Sequence, residues 1–443
     1  MRRILVVLSV FVPSITAAQT PPPQLDPVIA GYLAQVSPER LRATDERLVA
    51  FGTRSTFSEH AAPGRGVFAA RDWIADQFRL FAAASDGRMT VSLDSYVQKA
   101  DGKRVPRDVQ ISSVIATLKG DEPGGRTYVM SSHYDSRNTD DADGTNDAPG
   151  ADDNASGTAA VLEAARILAS AHLHATVIFA TYDAEEQGLF GSAHHAQGLK
   201  AAGADIEGDL NNDIIGASVG DRGQKNPDYV RIFSEALPAG AEWKRVDLLG
   251  SENDSPSREL ARFAHDMGDL YVKGFDGELI WRADRFLRGG DQESFTAAGY
   301  PAIRFVEPVE TFAHQHQNVR VENGVQYGDL ERFMDFDYLA QVTRTNIAIL
   351  ASLALGPARP KDAWISVHEL TNDTTLGWAP VPRAIGYEIA RRKTTDAVWT
   401  NFTAVGNVTT ATVPFSKDDW LFGVRAIDAQ GLPSVVSYPV PRR

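Results

Sequence analysis

The 443-residue chain has no cysteine. No disulfide can brace it, and no thiolate can act as metal ligand or nucleophile. Positive charge is in short supply: 44 Lys and Arg stand against 58 Asp and Glu, for a net charge of −14. Binding to nucleic-acid phosphate needs a basic surface, so that class of partner is excluded. Long apolar runs are also missing. The run from Ile4 to Val12 falls well short of the ~20 residues a spanning helix needs, and no other segment approaches that length. Arg2 and Arg3 precede this run, and Thr16, Ala17 and Ala18 follow it. That order reads as a secretory signal over residues 1–18 and implies an exported protein, periplasmic or extracellular.

What is present fits a globular protein with a sizeable core, with 43% hydrophobic and 23% charged residues. Pro21, Pro22 and Pro23 stiffen a linker or short N-terminal extension over 19–35. From about residue 36 to 356, helical periodicities alternate with strand-like runs. The run TVIFATY at 176–182 is typical of a central strand buried on both faces. Such alternation predicts an α/β fold, a mostly parallel central sheet with helices on both faces. Gly356-Pro357-Ala358-Arg359-Pro360 is rich in breakers, and the pattern changes after it. Seven short strand-like runs over 361–443 predict an all-β sandwich. With Trp378 in the second run and Tyr387 in the third, this segment resembles a fibronectin type III module.

Three clusters of oxygen and nitrogen donors lie between Ser131 and Ser192. His133 and Asp135 follow the run TYVMSS, Asp152 and Asp153 stand before a helix start, and Glu185 and Glu186 end TVIFATYDA. A di-metal hydrolase needs such donors for each ion, one carboxylate shared between them, and another to move protons. Asp135 is placed to accept the second ring N–H of His133 and fix its tautomer. Side chains of adjacent glutamates diverge, so one can bind metal while the other faces substrate as general base.

The ordered motifs H-x-D-S, P-G-A-D-D-N-A-S-G and A-E-E-x-G-L-x-G-S resemble metallopeptidase family 28, the co-catalytic di-zinc aminopeptidases. The likeness covers about residues 35–355. It implies two zinc ions and a peptide substrate. It further implies His133 as a ligand, Asp153 as the bridging carboxylate, Glu185 as general base and Glu186 as ligand. A further ligand falls on Asp213 in LNNDIIG. The last falls on His314, set by its distance to Asn318, where the family commonly has Asp; His316 is the competing choice. Asp291 resembles a family acid near the substrate, behind the ligands.

Two other enzyme classes share this donor set, a zinc carboxypeptidase and a dipeptidase. A non-catalytic binding or adhesion ectodomain is the alternative from another class. The string Gly216-Ala-Ser218-Val-Gly220 has the form of a nucleophile elbow, but the segment after it is a poor helix start. The acidic loop at 140–147 lacks EF-hand spacing and reads as a solvated loop at the rim of the site. Oligomeric state is not legible.

Overall fold

A computed structural model describes residues 25–122, 125–237, 246 and 250–443. The expected signal, residues 1–18, lies outside the described residues. The chain divides into two compact units; one comprises Pro23–Ala358 with Gln430–Val435, and the other includes Arg359–Ala429 and Val436–Arg443.

The first unit begins with α1 (Pro27–Leu33) and α2 (Pro38–Val49), capped by the side chains of Asp26 and Ser37. The chain breaks between them because Pro38 opens a helix but cannot sit inside one. Part of the expected 19–35 extension is therefore helix. Next come α3 (Val67–Ala82), β1 (Met89–Gln98), β2 (Val109–Leu118), β3 (Thr127–His133), α4 (Gly157–Leu168), β4 (Thr176–Tyr182) and α5 (Phe190–Ala201). They are followed by β5 (Ile206–Asn212), β6 (Tyr229–Ser234), α6 (Pro256–Tyr271), β7 (Asp276–Ile280), α7 (Gln292–Ala298) and β8 (Ala302–Val306). A two-stranded hairpin, β9 (Arg320–Glu322) with β10 (Val325–Tyr327), precedes the long α8 (Phe336–Leu355).

Eight strands form one mixed sheet in the order β1-β2-β4-β3-β5-β8-β6-β7. The middle four, β4, β3, β5 and β8, run parallel, and β1, β2 and β6 join antiparallel to their inner neighbours. β3, β4 and β5 are buried along nearly their whole length. The largest apolar cluster packs α2, α3, α4, α6 and α8 against this sheet through Leu41, Ile74, Leu162, Leu260, Ile349 and their neighbours. Burial at roughly 25 cal/mol per Å² of apolar surface makes that core the main source of stability in a chain without cross-links. Four parallel strands side by side direct their C-terminal ends to one edge, where an open α/β sheet places its ligands.

The second unit holds seven strands: β11 (Trp364–Ser366), β12 (Thr374–Gly377), β13 (Gly386–Lys393), β14 (Asn401–Gly406), β15 (Thr410–Val413), β16 (Trp420–Ile427) and β17 (Val440–Arg442). They form a four-stranded sheet, β15-β12-β11-β17, and a three-stranded sheet, β14-β13-β16.

Candidate metal centre

Residues from the ends of the parallel strands converge. His133 is the last residue of β3, Glu185 and Glu186 follow β4, and Asp213 follows β5. Asp153 comes from the irregular turn Ala151–Ser156 that leads into α4, where the Asp153–Asn154 peptide is cis. Gly157 lets α4 start against the end of β5, since a Cβ there would overlap the carbonyl oxygen of Asn212. His316 arrives from the segment after β8. The turns that aim these side chains use left-handed backbone at non-glycine residues: Ala184 (φ 63°), Ile214 (φ 56°) and His316 (φ 53°). Such conformations are uncommon and gather at functional sites.

Two donor groups result, His133 with Glu185 and Asp213, and Asp153 with Glu186 and His316. Asp153 joins them. Its Oδ1 lies 3.3 Å from His133 Nε2, and its Oδ2 lies 2.9 Å from His316 Nε2. His133 Nε2 is also 3.3 Å from Asp213 Oδ1, and His316 Nε2 is 3.0 Å from Glu186 Oε1.

His314 is not part of the cluster, which corrects the expectation from spacing. Its ring stacks on Phe333 at 3.7 Å between centroids. Burial, with Arg332 nearby, lowers its pKa to about 4. The left-handed turn at His316 points that second imidazole inward instead.

Asp135 also differs in detail. The oxygen nearest His133 Nδ1 is its backbone carbonyl, at 3.1 Å, with carboxylate Oδ1 at 3.4 Å. Its two carboxylate oxygens accept the backbone N–H groups of Glu185 and Glu186, each at 3.2 Å. Asp135 thus fixes the glutamate turn and the histidine together.

Other supports carried no sequence signal. The Asp329 carboxylate accepts the N–H of Asp152 at 2.9 and 3.0 Å and that of Asp153 at 2.7 Å. Arg304 on β8 donates to Asp213 Oδ2 at 2.5 Å and to Asp284 Oδ2 at 2.7 Å. Asp152 faces away from the cluster and accepts the N–H of Gly216 at 2.7 Å. Asp291 is buried behind the cluster, where burial raises its pKa to about 7 although the nearby His133 opposes this.

The electrostatics call for cations. Burial would raise Asp153, yet His133 and His316 hold it well below the usual carboxylate range. Burial pushes Asp213 up, and Arg304 and His133 outweigh that and bring it down. Burial raises Glu185, and Asp213 and Glu186 add to the rise against His133. His133 Nε2, Glu186 Oε1 and Asp213 Oδ1 are buried and face charged groups of the cluster at 3.0–3.3 Å without completing a hydrogen bond. Buried polar atoms whose hydrogen bonding is incomplete are costly. Imidazole nitrogen and carboxylate oxygen are also the donors zinc takes where thiolates are absent. The residues therefore fit a metal pair.

The remaining motifs are accounted for structurally. Ser218 lies outside any strand and donates to Asp335 Oδ2 at 2.5 Å, and a reversal closed by a Val219–Lys225 bridge, not a helix, follows it. In the acidic loop, Asp143 accepts from Asn138, Thr145 and Asn146, so its charge is already satisfied.

An open cavity of about 490 Å³ leads to the cluster, lined by Asp153, Glu185, Glu186, Asp213 and His316 together with several arginines. A mixed sheet with a two-histidine, four-carboxylate cluster at its C-terminal edge defines a metallohydrolase of the zinc-exopeptidase type of fold.

The family model described as "Peptidase family M28" matches residues 113–336. A protein from Pyrenophora teres, "Probable zinc metalloprotease", is 45% identical over 436 residues, covering 97% of this chain and 90% of that one. A protein of the same description from Leptosphaeria maculans is also 45% identical, over 93% of this chain and 97% of its own. The chain belongs to peptidase family M28 and is a metallopeptidase. Among solved structures, the Legionella pneumophila LapA aminopeptidase aligns with a TM-score of 0.54 at 16% identity, covering 78% of this chain and 77% of that one. An aminopeptidase from Aneurinibacillus aligns with a TM-score of 0.50 at 16% identity, covering 73% and 95%. These two likenesses show the fold.

Proposed function

We propose that the protein is an exported aminopeptidase that holds two zinc ions, with Asp153 between them. His133 and Asp213 would complete one site, and Glu186 and His316 the other. The observation that carries this reading is the two-sided use of Asp153, one oxygen facing each donor group. Fungal relatives described as probable zinc metalloproteases support the metal, and the three ordered motifs support the aminopeptidase class. All six positions of the site are filled, which leaves the non-catalytic ectodomain without support. In the second unit, the division of seven strands into sheets of four and three supports a fibronectin type III-like module. So does Tyr387, whose hydroxyl accepts the N–H of Val381 at 2.7 Å.

Zinc, when bound, supplies a Lewis acid for the scissile carbonyl and makes water acidic enough to lose a proton near neutral pH. The chain does the rest. Glu185 lies within the His133–Asp213 donor group, but Asp153 can complete that site in its place, and the buried Glu185 carboxyl has a raised proton affinity. It takes the proton of the attacking water and returns it to the departing amine. Asp135 holds the backbone of Glu185 and Glu186 in place during both transfers. Arg304 keeps Asp213 ionised.

Glu185→Gln should bind zinc as the wild type does and lose about 10²- to 10⁴-fold in kcat, the usual contribution of a general base. Zinc content and turnover on peptides with free or acetylated N-termini test both parts. Cleavage that is indifferent to the acetyl group would reject the aminopeptidase class, and near-normal turnover in the variant would reject the base.

A further inference from the structure

Although the molecule is acidic, the cavity at its active centre is lined by five arginines: Arg104, Arg137, Arg285, Arg288 and Arg304. Their charges are incompletely paired. Arg285, Arg288 and Arg304, with Arg231 behind them, share three carboxylates. Glu310 accepts from Arg231, Arg285 and Arg288, Asp284 accepts from Arg285 and Arg304, and Asp213 accepts from Arg304. Asp213 belongs to the donor cluster, so its charge is committed there as well. Arg104 and Arg137 share Asp141 at 3.9 and 4.0 Å, beyond hydrogen-bond distance. Each donates to a backbone carbonyl, Arg104 to that of Glu186 and Arg137 to that of Asn138.

Burial lowers the pKa of Arg285, and the neighbouring Arg304 and Arg288 lower it further while Glu310 and Asp284 oppose them. Glu293 also lines the cavity; burial and Asp284 raise its pKa, and Arg304 opposes the rise. Guanidinium groups with unused N–H donors in a cleft are suited to a planar anion, which they bind through paired, charge-assisted hydrogen bonds.

We propose that this arginine-lined cleft receives a substrate carboxylate close to the scissile bond, on an acidic side chain or at the peptide's C-terminus. The inference builds on the peptidase reading above and adds the substrate's charge. Neutral peptides would leave the guanidiniums facing one another, whereas an acidic one relieves that repulsion and is steered towards the metal centre.

The test uses the zinc-loaded full-length chain and four peptides: Glu-Leu-amide, Gln-Leu-amide, Leu-Leu and Leu-Leu-amide. An acidic side chain as the source predicts kcat/KM at least about 10-fold higher for the Glu than for the Gln peptide. A C-terminal carboxylate predicts the same advantage of Leu-Leu over its amide. That factor corresponds to one charge-assisted hydrogen bond. Arg288→Gln and the more exposed Arg104→Gln should each bring the favoured ratio towards one. Ratios within twofold of one for both pairs in the wild type, or a ratio unchanged in both variants, would overturn the proposal. Should no peptide be cleaved, the peptidase reading fails, and calorimetry with glutarate against glutaramide decides the cleft separately. Glutarate binding that weakens in the two variants upholds the carboxylate site, and equal affinity in all three proteins rejects it.

Discussion

At the scale of single residues, the least legible choice was between two histidines two positions apart. Spacing to Asn318 favours His314, and nothing in AHQHQ announces a reversal of the chain. The reversal is nonetheless there, at His316 itself (φ 53°); histidine is enriched in left-handed backbone among non-glycine residues, but most histidines lie outside it, so the residue type alone does not mark the turn. It turns His316 onto Asp153 and Glu186 and leaves His314 against Phe333. The two positions should therefore separate cleanly by mutation. His316→Ala should lose one of the two zinc ions and about two orders of magnitude or more in kcat/KM, as expected when a metal loses a protein donor. His314→Phe preserves the aromatic stack and should keep both metal content and turnover. Elemental analysis of the two variants, alongside their kinetics, decides the matter; loss of zinc from His314→Phe would reverse the assignment. By contrast, His133, Glu185 and Glu186 could be picked out because each follows an apolar strand, whereas Asp213, and Asp153 rather than Asp152, rest on the family resemblance; the structure brings all five together.

At the scale of elements, the central strands were readable because they are buried runs of β-branched and aromatic residues, TVIFATY above all. So were β1 and β2 at one edge, which alternate; β6 and β7 at the other edge were not. β7 reads DGELI, short and half polar, and pairs only with β6 among the described strands. An edge strand of that kind lacks the apolar pattern that reveals a core strand. The β9–β10 hairpin did carry a signal, Asn323-Gly324, whose positive φ values of 51° and 79° suit a two-residue turn. Buried acids that hold loops in place have no sequence signature at all. Asp329 lies 176 positions from Asp153, yet its carboxylate fixes the turn that presents Asp153 to both donor groups. Burial, with the neighbouring Asp152, raises its pKa to about 8 although the two backbone donors oppose the rise. Asp329→Asn would turn an amide N–H₂ towards those N–H groups or leave one without an acceptor. The expected cost is about 1–3 kcal/mol in stability, together with weaker zinc retention, read from denaturant midpoints and from dialysis against a chelator. Unchanged zinc retention would show that the Asp153 turn holds itself.

At the scale of the whole molecule, a chain with no disulfide gains stability from any metal that binds only the folded state. Here that contribution is tied to pH through His316. Burial disfavours its charged form, but Glu186 and Asp153 outweigh burial and hold its pKa at about 10 in the metal-free protein. The same imidazole titrates near ~6.5 in an unfolded chain. A pKa raised by folding means that the pairing stabilises the metal-free protein fully below about 6.5, and that this contribution is lost as pH rises through about 10. Zinc needs the neutral ring, so the proton and the ion compete for the same nitrogen. Apparent zinc affinity should rise across this range while the metal-free protein loses stability. The melting-temperature gap between zinc-loaded and chelator-treated protein should thus be small at pH 6 and widen towards pH 9. Titration calorimetry in two buffers of different ionisation enthalpy should find protons released on zinc binding, fewer in His316→Gln. A gap that does not change with pH would show that His316 carries no proton for zinc to displace, and the imidazole would then lie outside the metal's reach.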